Sequence, residues 1–150
     1  MVKTMYTIAL RFAENFAPQE GTIIAHQHII TKQNYVWYGK LGSAVSAKNR
    51  KILLSQDNPR ILLIHSGSID RYWAYIDDIK YERPADEEFP DYYRDMANRI
   101  KTWFRIIRFE PADKKVISKC TVVSSGASLS EASRASMSPY FFVEYKEVES

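Results

Sequence analysis

Apolar and polar positions alternate from Met5 to Phe12, with Tyr6, Ile8, Leu10 and Phe12 on one side, and this predicts a strand. Residues 13–21 hold Asn15, Pro18 and Gly21 and read as a loop. Ile23, Ile24, Ile29 and Ile30 recur at a roughly helical interval, although their β-branching favours a strand. We read Thr22–Lys32 as a helix ending near Asn34. Tyr35–Tyr38 is a short strand closed by Gly39. Gly42-Ser43 offers a cap for a helix over Ala44–Leu54, with Val45, Ile52 and Leu53 toward the core.

The unbroken apolar run Ile61–His65 predicts a buried central strand. Ser66-Gly67-Ser68 turns the chain into a second strand over Arg71–Tyr81. Tyr72, Ala74 and Ile76 share one of its faces, and Trp73, Tyr75 and Asp77 the other. An acidic, proline-bearing loop follows over residues 82–91. Asp91 can cap a short helix in which Tyr92, Met96 and Ile100 repeat. Strands are expected over Thr102–Phe109, Val116–Val123 and Tyr140–Tyr145. Ser128 to Glu131 has capping-box spacing for a short helix. The sum is about six strands and three or four short helices. This is an α+β pattern suited to a curved or barrel-like mixed sheet in one domain over residues 1–150, rather than regular βαβ winding.

Composition narrows the class. A chain of 150 residues, 45% hydrophobic and 26% charged, is an ordinary globular chain. The single Cys120 excludes an intrachain disulfide and suits a reducing compartment. Met1–Met5 leads into alternation rather than a long apolar run, so neither leader nor membrane span is read and the cytoplasm is the expected location. The net charge of +3 is divided unevenly: residues 1–75 carry nine basic and four acidic side chains, and residues 76–150 carry twelve and fourteen. The first half is therefore the better match for phosphates.

Candidate chemistry is sparse. With five glycines there is no dinucleotide fingerprint or Walker loop, and no zincin or nucleophile-elbow motif is found. His26, His28 and His65 have no spacing that demands a metal, and neither metal nor cofactor is expected. Asp77-Asp78 echoes a nuclease carboxylate pair but reads more simply as a solvated strand end. The aromatic content is the unusual feature, with 3 Trp, 10 Tyr and 7 Phe. Trp37, Trp73 and Trp103 belong to a core in the simpler reading. In the sharper one they are stacking walls flanked by exposed Lys32, Lys40, Lys48, Arg50 and Lys51. Taken alone, Lys48-Asn49-Arg50-Lys51 is the solvated face of a helix.

Three segments carry a family likeness. They are Tyr35-Val36-Trp37-Tyr38-Gly39 before a helix, Ile61–Ser68 leading into Tyr72-Trp73-Ala74-Tyr75-Ile76, and Lys101-Thr102-Trp103-Phe104-Arg105-Ile106. Together they resemble the PUA-like superfamily, and within it domains of the EVE and YTH type. The resemblance implies a small barrel-like sheet wrapped by helices that takes a flipped, modified base into an aromatic pocket. It implies Trp37 as one cage wall, with Tyr38, Trp73, Trp103 or Tyr92/Tyr93 as partners; YTH domains have a Trp where this chain has Tyr92-Tyr93. Ser66 and Gly67 would bind the base edge, and Lys40, Lys48, Arg50 and Lys51 the phosphates. The implied partner is DNA or RNA carrying a methylated base, within a larger restriction or defence assembly of the McrBC type and away from membranes. The rival readings are an ASCH-like ribonuclease or nucleotide-processing enzyme using Tyr38, Lys40 or Asp77, and an interaction module whose aromatics are all core.

Overall fold

The structure is a computed structural model and describes residues 2–12, 21–40, 42–65, 70–135 and 140–148. The alternating segments form strands β1 (Val2–Phe12), β2 (Val36–Lys40), β3 (Arg60–His65), β4 (Arg71–Lys80), β5 (Thr102–Pro111), β6 (Cys120–Val122) and β7 (Tyr140–Val148). The helices are α1 (Thr22–Gln33), α2 (Ala47–Leu54) and α3 (Leu129–Ala135), with 3₁₀ turns at Asp86–Glu88, Asp91–Tyr93, Ala97–Arg99 and Val116–Lys119. All seven strands join one mixed α+β sheet in the order β2-β5-β4-β3-β1-β7-β6. Among the described residues, only β1 and β3 pair in parallel. The expected loop over residues 13–20, the turn at Ser66-Gly67-Ser68 and the end of the Ser/Ala-rich stretch at residues 136–138 lie outside the described residues.

Local chemistry explains where each element begins and ends. Asn34 adopts a left-handed conformation (φ 74°) and returns its N–H to the Ile30 carbonyl, which stops α1. The cap of α2 is Ser46 rather than Gly42-Ser43: its Oγ accepts from the Asn49 N–H at 3.1 Å. The helix starts late because Val45 is drawn into the core. Its N–H donates to Thr102 Oγ1, and its carbonyl accepts from the Tyr81 hydroxyl. Ser128 caps α3 through the Glu131 N–H, as the spacing predicts. The single strand expected over Val116–Val123 is instead a 3₁₀ turn followed by three-residue β6. Asp113 Oδ1 accepts from the Lys115 N–H, which starts the turn, and Val116 and Cys120 are buried four residues apart. The short helix expected from Asp91 is two 3₁₀ turns, and its buried positions are Tyr93, Ala97 and Ile100 rather than Tyr92, Met96 and Ile100.

Both faces of the sheet are covered. The inner face packs Ile8, Leu10, Val36, Tyr38, Leu63, Ile76 and Phe104 into one core that α1 and α2 help to close. The outer face is covered in two patches. α3 and the 3₁₀ turn Val116–Lys119 cover Ala9, Leu62 and Trp73, and the turns between β4 and β5 cover Trp37 and Trp103. Ala74 and Ile76 point inward and Trp73 outward, matching the expected division of β4, with register shifts between Tyr75, Ile76 and Asp78. The sheet is not closed, yet it curls far enough for Lys40, on the first strand of the order, to lie over the Tyr140 ring on the sixth, 3.9 Å from its centroid.

Gly39 sits opposite Trp103 in the β2–β5 ladder. A Cβ there would lie 2.6 Å from Ile100 Cδ1 and 3.1 Å from Trp103 Cζ3, both buried. Gly39→Ala is expected to overpack this contact and lower stability by about 1–3 kcal/mol. A urea midpoint equal to that of the parent protein would show that the site relaxes freely.

Candidate nucleic-acid interface

The three tryptophans expected as stacking walls are all packing residues. Trp103 is wholly buried, and Trp37 and Trp73 are 4% and 7% exposed. Trp37 and Trp103 share the outer cluster with Phe89 and Tyr93, whereas Trp73 lies in the other outer cluster against Tyr145, and Tyr38 faces the inner core. The structure thus brings Trp37, Trp103, Tyr92 and Tyr93 together, sets Tyr38 at their inner margin with its ring 6.4 Å from that of Tyr93, and leaves Trp73 elsewhere. Tyr92 is the partly exposed member. It lines a groove of about 740 Å³ between α1 and the turns over 86–94, where Asp86, Glu87 and Asp91 outnumber Lys32 and Arg94. That balance suits a polyanion poorly.

His26 ties this cluster to α1. Its Nδ1 is 2.8 Å from the Thr22 carbonyl, which can only accept, so Nδ1–H donates there. Nε2 then accepts from the Tyr93 hydroxyl at 3.2 Å, while the ring tilts against Tyr38 at 5.0 Å. His28 is exposed, and His65 ends β3 edge-on to Phe12. Among the described residues no group of three His, Cys, Asp or Glu is placed to hold a metal.

The phosphate candidates divide. Lys48 and Lys51 are exposed on α2. Arg50 binds back onto the fold, donating through Nε to the Ile79 carbonyl and through Nη2 to Asp78 at 3.0 Å. Lys40, expected at the surface, is 3% exposed. It alternates inward with Val36 and Tyr38, and its ammonium donates to the Ser43 carbonyl beside the Tyr140 ring. Burial lowers its pKa to about 8. Asp77 is on the opposite face of the sheet from Lys40, paired with Arg105 at 2.6 Å. Ser66 and Gly67 lie outside the described residues.

The seam where the curled sheet fails to close forms the site that composition did not reveal. A groove of about 650 Å³ runs between the start of α2 and β7, lined among others by Ser43, Asn49, Ser124, Ser125, Tyr140 and Phe142. Its described lining is hydroxyl, amide, aromatic and small aliphatic, with no carboxylate. Lys40 touches two of its members. The sequence did carry a signal for this: Lys40 follows Val36 and Tyr38 at the period of two that turns a side chain inward.

Burial also lowers the His26 pKa to about 4, against 6.5 in an unfolded chain. A base held below its unfolded pKa binds fewer protons when folded. Its contribution to stability is therefore complete above about pH 6.5 and declines as the pH falls toward 4, by on the order of 3 kcal/mol. The urea midpoint is expected to drop between pH 6.5 and 4.5, and His26→Gln is expected to flatten that slope. An equal slope in the variant would place the acid sensitivity in other groups.

No curated protein and no solved structure matches the chain. Among the described residues no helix is long and apolar enough to cross a membrane. A family model described as Pua-like matches residues 8–138, which takes in β2 to β6, the second half of β1 and the three helices, and ends just before β7. On that match, and with the mixed sheet and flanking helices to support it, the chain belongs to the PUA-like family.

Proposed function

We propose that this domain binds DNA or RNA through its open seam and takes one modified base into the groove there. PUA-like domains generally bind RNA or DNA. The observation that carries the placement is the Lys40 ammonium, 3.9 Å over Tyr140 beside a groove whose described lining holds no carboxylate. Tyr140 and Phe142 offer ring faces to an extruded base, and stacking of this kind contributes about 1–3 kcal/mol per base. Ser43, Asn49, Ser124 and Ser125 supply donors and acceptors for a base edge. Lys40 faces a neighbouring phosphate, while Lys48 and Lys51 on α2 steer the strand. Trp37 and Trp103 hold β2 on β5 in this reading rather than forming the cage. As a specificity module the domain would serve a larger restriction or defence assembly.

A buried cation is held against its own cost. Desolvation depresses Lys40, so its charged form destabilises the fold near pH 7, and a methionine of similar length should stabilise it by on the order of 1–3 kcal/mol. Lys40→Met is therefore expected to raise the melting temperature while weakening a three-nucleotide ligand about tenfold. The parent protein should lose affinity as the pH rises from 7 to 9 through the lysine pKa, and the variant should show no such loss. Discrimination between oligonucleotides with and without N6-methyladenine or 5-methylcytosine, followed by fluorescence, tests the modified-base reading. Tyr140→Ala should abolish it. Unchanged discrimination in that variant would remove Tyr140 from the site.

The pKa of Lys40 near 8 also suits proton transfer, which favours a second reading as a small ribonuclease. Asp77 takes no part in it, being on the opposite face. Turnover of RNA by the pure protein, lost in Lys40→Met, would select this reading.

A further inference from the structure

A strip of the outer face lies where the two covering patches meet, sharing Tyr75 with one and Tyr35 and Trp37 with the other. It runs over β4 and β5 and is built from cations stacked on aromatic rings. The Arg108 guanidinium lies 3.8 Å from the centroid of Tyr75, Arg60 lies 5.5 Å from the same ring, and the three residues form one cross-strand row over β3, β4 and β5. Arg105 lies 4.1 Å over Tyr35, and Lys80 4.5 Å over Trp37. The planes are pinned at their edges. Asp77 accepts from Arg105 at 2.6 Å, and Glu110 accepts from the Tyr75 hydroxyl at 2.9 Å and lies 3.5 Å from Arg108. Glu88 accepts from the Tyr35 hydroxyl and fixes that ring in turn. The side chains of Arg105 and Arg108 stay 34% and 59% exposed, and exposed Ile107 stands between them in sequence.

A guanidinium backed by a ring on one side and held by a carboxylate at one edge is a flat cation with its other face open. Such a group stacks on a nucleobase and gives its remaining N–H groups to phosphate. The strip carries Arg60, Lys80, Arg105 and Arg108 against Asp77, Glu88 and Glu110, so cations exceed carboxylates by four to three. That excess complements a polyanion.

We propose that the β4–β5 strip is a second nucleic-acid surface, on which Arg105 and Arg108 stack bases of a single strand flanking the one held at the seam. The proposal rests on the seam reading, and β2 joins the two places. Lys40 ends it on the inner face, and Tyr35, which carries Arg105, precedes it at the other end. Five residues of strand span about 17 Å. A stacked single strand rises about 3.4 Å per nucleotide, so three nucleotides fill the seam without reaching Arg105 and ten reach both.

The test compares oligonucleotides of three and ten nucleotides on the full chain, titrated at several salt concentrations. Arg105→Gln with Arg108→Gln is expected to weaken the ten-nucleotide strand about tenfold or more and to leave the three-nucleotide strand within twofold. Arg105→Lys with Arg108→Lys, which keeps both charges and loses both planes, should recover less than half of that loss on a logarithmic scale. Removing the same charge at Lys114 and Lys115, on the turn after β5, should change neither ligand. Equal losses from the Lys114/Lys115 variant, or none from the Arg105/Arg108 variant while the parent binds, would overturn the strip and leave the seam standing. Binding of ten nucleotides but not three, lost in the arginine variant, would uphold the strip and sink the seam. No binding of either length by the parent protein would overturn both.

Discussion

Both faces of one seven-stranded sheet have to be kept from water, and most of this molecule answers to that constraint. The inner face is closed by curling β2 toward β7 under α1 and α2. The outer face is closed by turns and a short helix in two separate patches. Aromatic side chains bury large areas each and fill irregular space between a twisted sheet and short turns, so the chain spends its tryptophans on cover. Polar chemistry is left where cover thins, along the seam and over the strip of β4 and β5 between the two outer patches.

The fold was largely legible because its signals are local. Alternation located β1, β4 and β5, apolar runs located β3 and β7, and the Ser128–Glu131 spacing located α3. Errors arose where a tertiary contact overrode a local preference. Val45 is held extended by Thr102 and Tyr81, which no neighbouring residue announces, so the cap moves from Ser43 to Ser46. Val116–Val123 has the composition of a strand, but an Asp113 turn begins it as a 3₁₀ helix.

The site was less legible, because exposure is a property of the whole sheet. Trp37 looks the same in sequence whether it lines a pocket or packs beneath Lys80. Lys40 looks like a surface lysine until its register is counted from Val36 and Tyr38. Arg105 and Arg108 are three apart, an interval that should put them on opposite faces of a regular strand. The irregular register between Tyr75 and Asp78 absorbs the extra residue and leaves both arginines stacked on rings at the outer face.

β2 concentrates these demands in five residues. It is an edge strand, normally a liability for uncontrolled pairing, yet all five of its residues are buried. Its inner side puts Tyr38 against His26 and Lys40 against Tyr140. Its outer side puts Trp37 under Lys80 and brings Gly39 so close to Trp103 and Ile100 that a Cβ there would push the Ile100 side chain aside. A shift of β2 along β5 by one residue would exchange the two sets, burying Trp37 where Tyr38 belongs and turning the Lys40 ammonium out of the seam. The Gly39 contact opposes that slip, since any other β2 residue placed opposite Trp103 carries a Cβ that would displace Ile100. The tight packing that looks purely structural is thus what fixes the position of the buried cation.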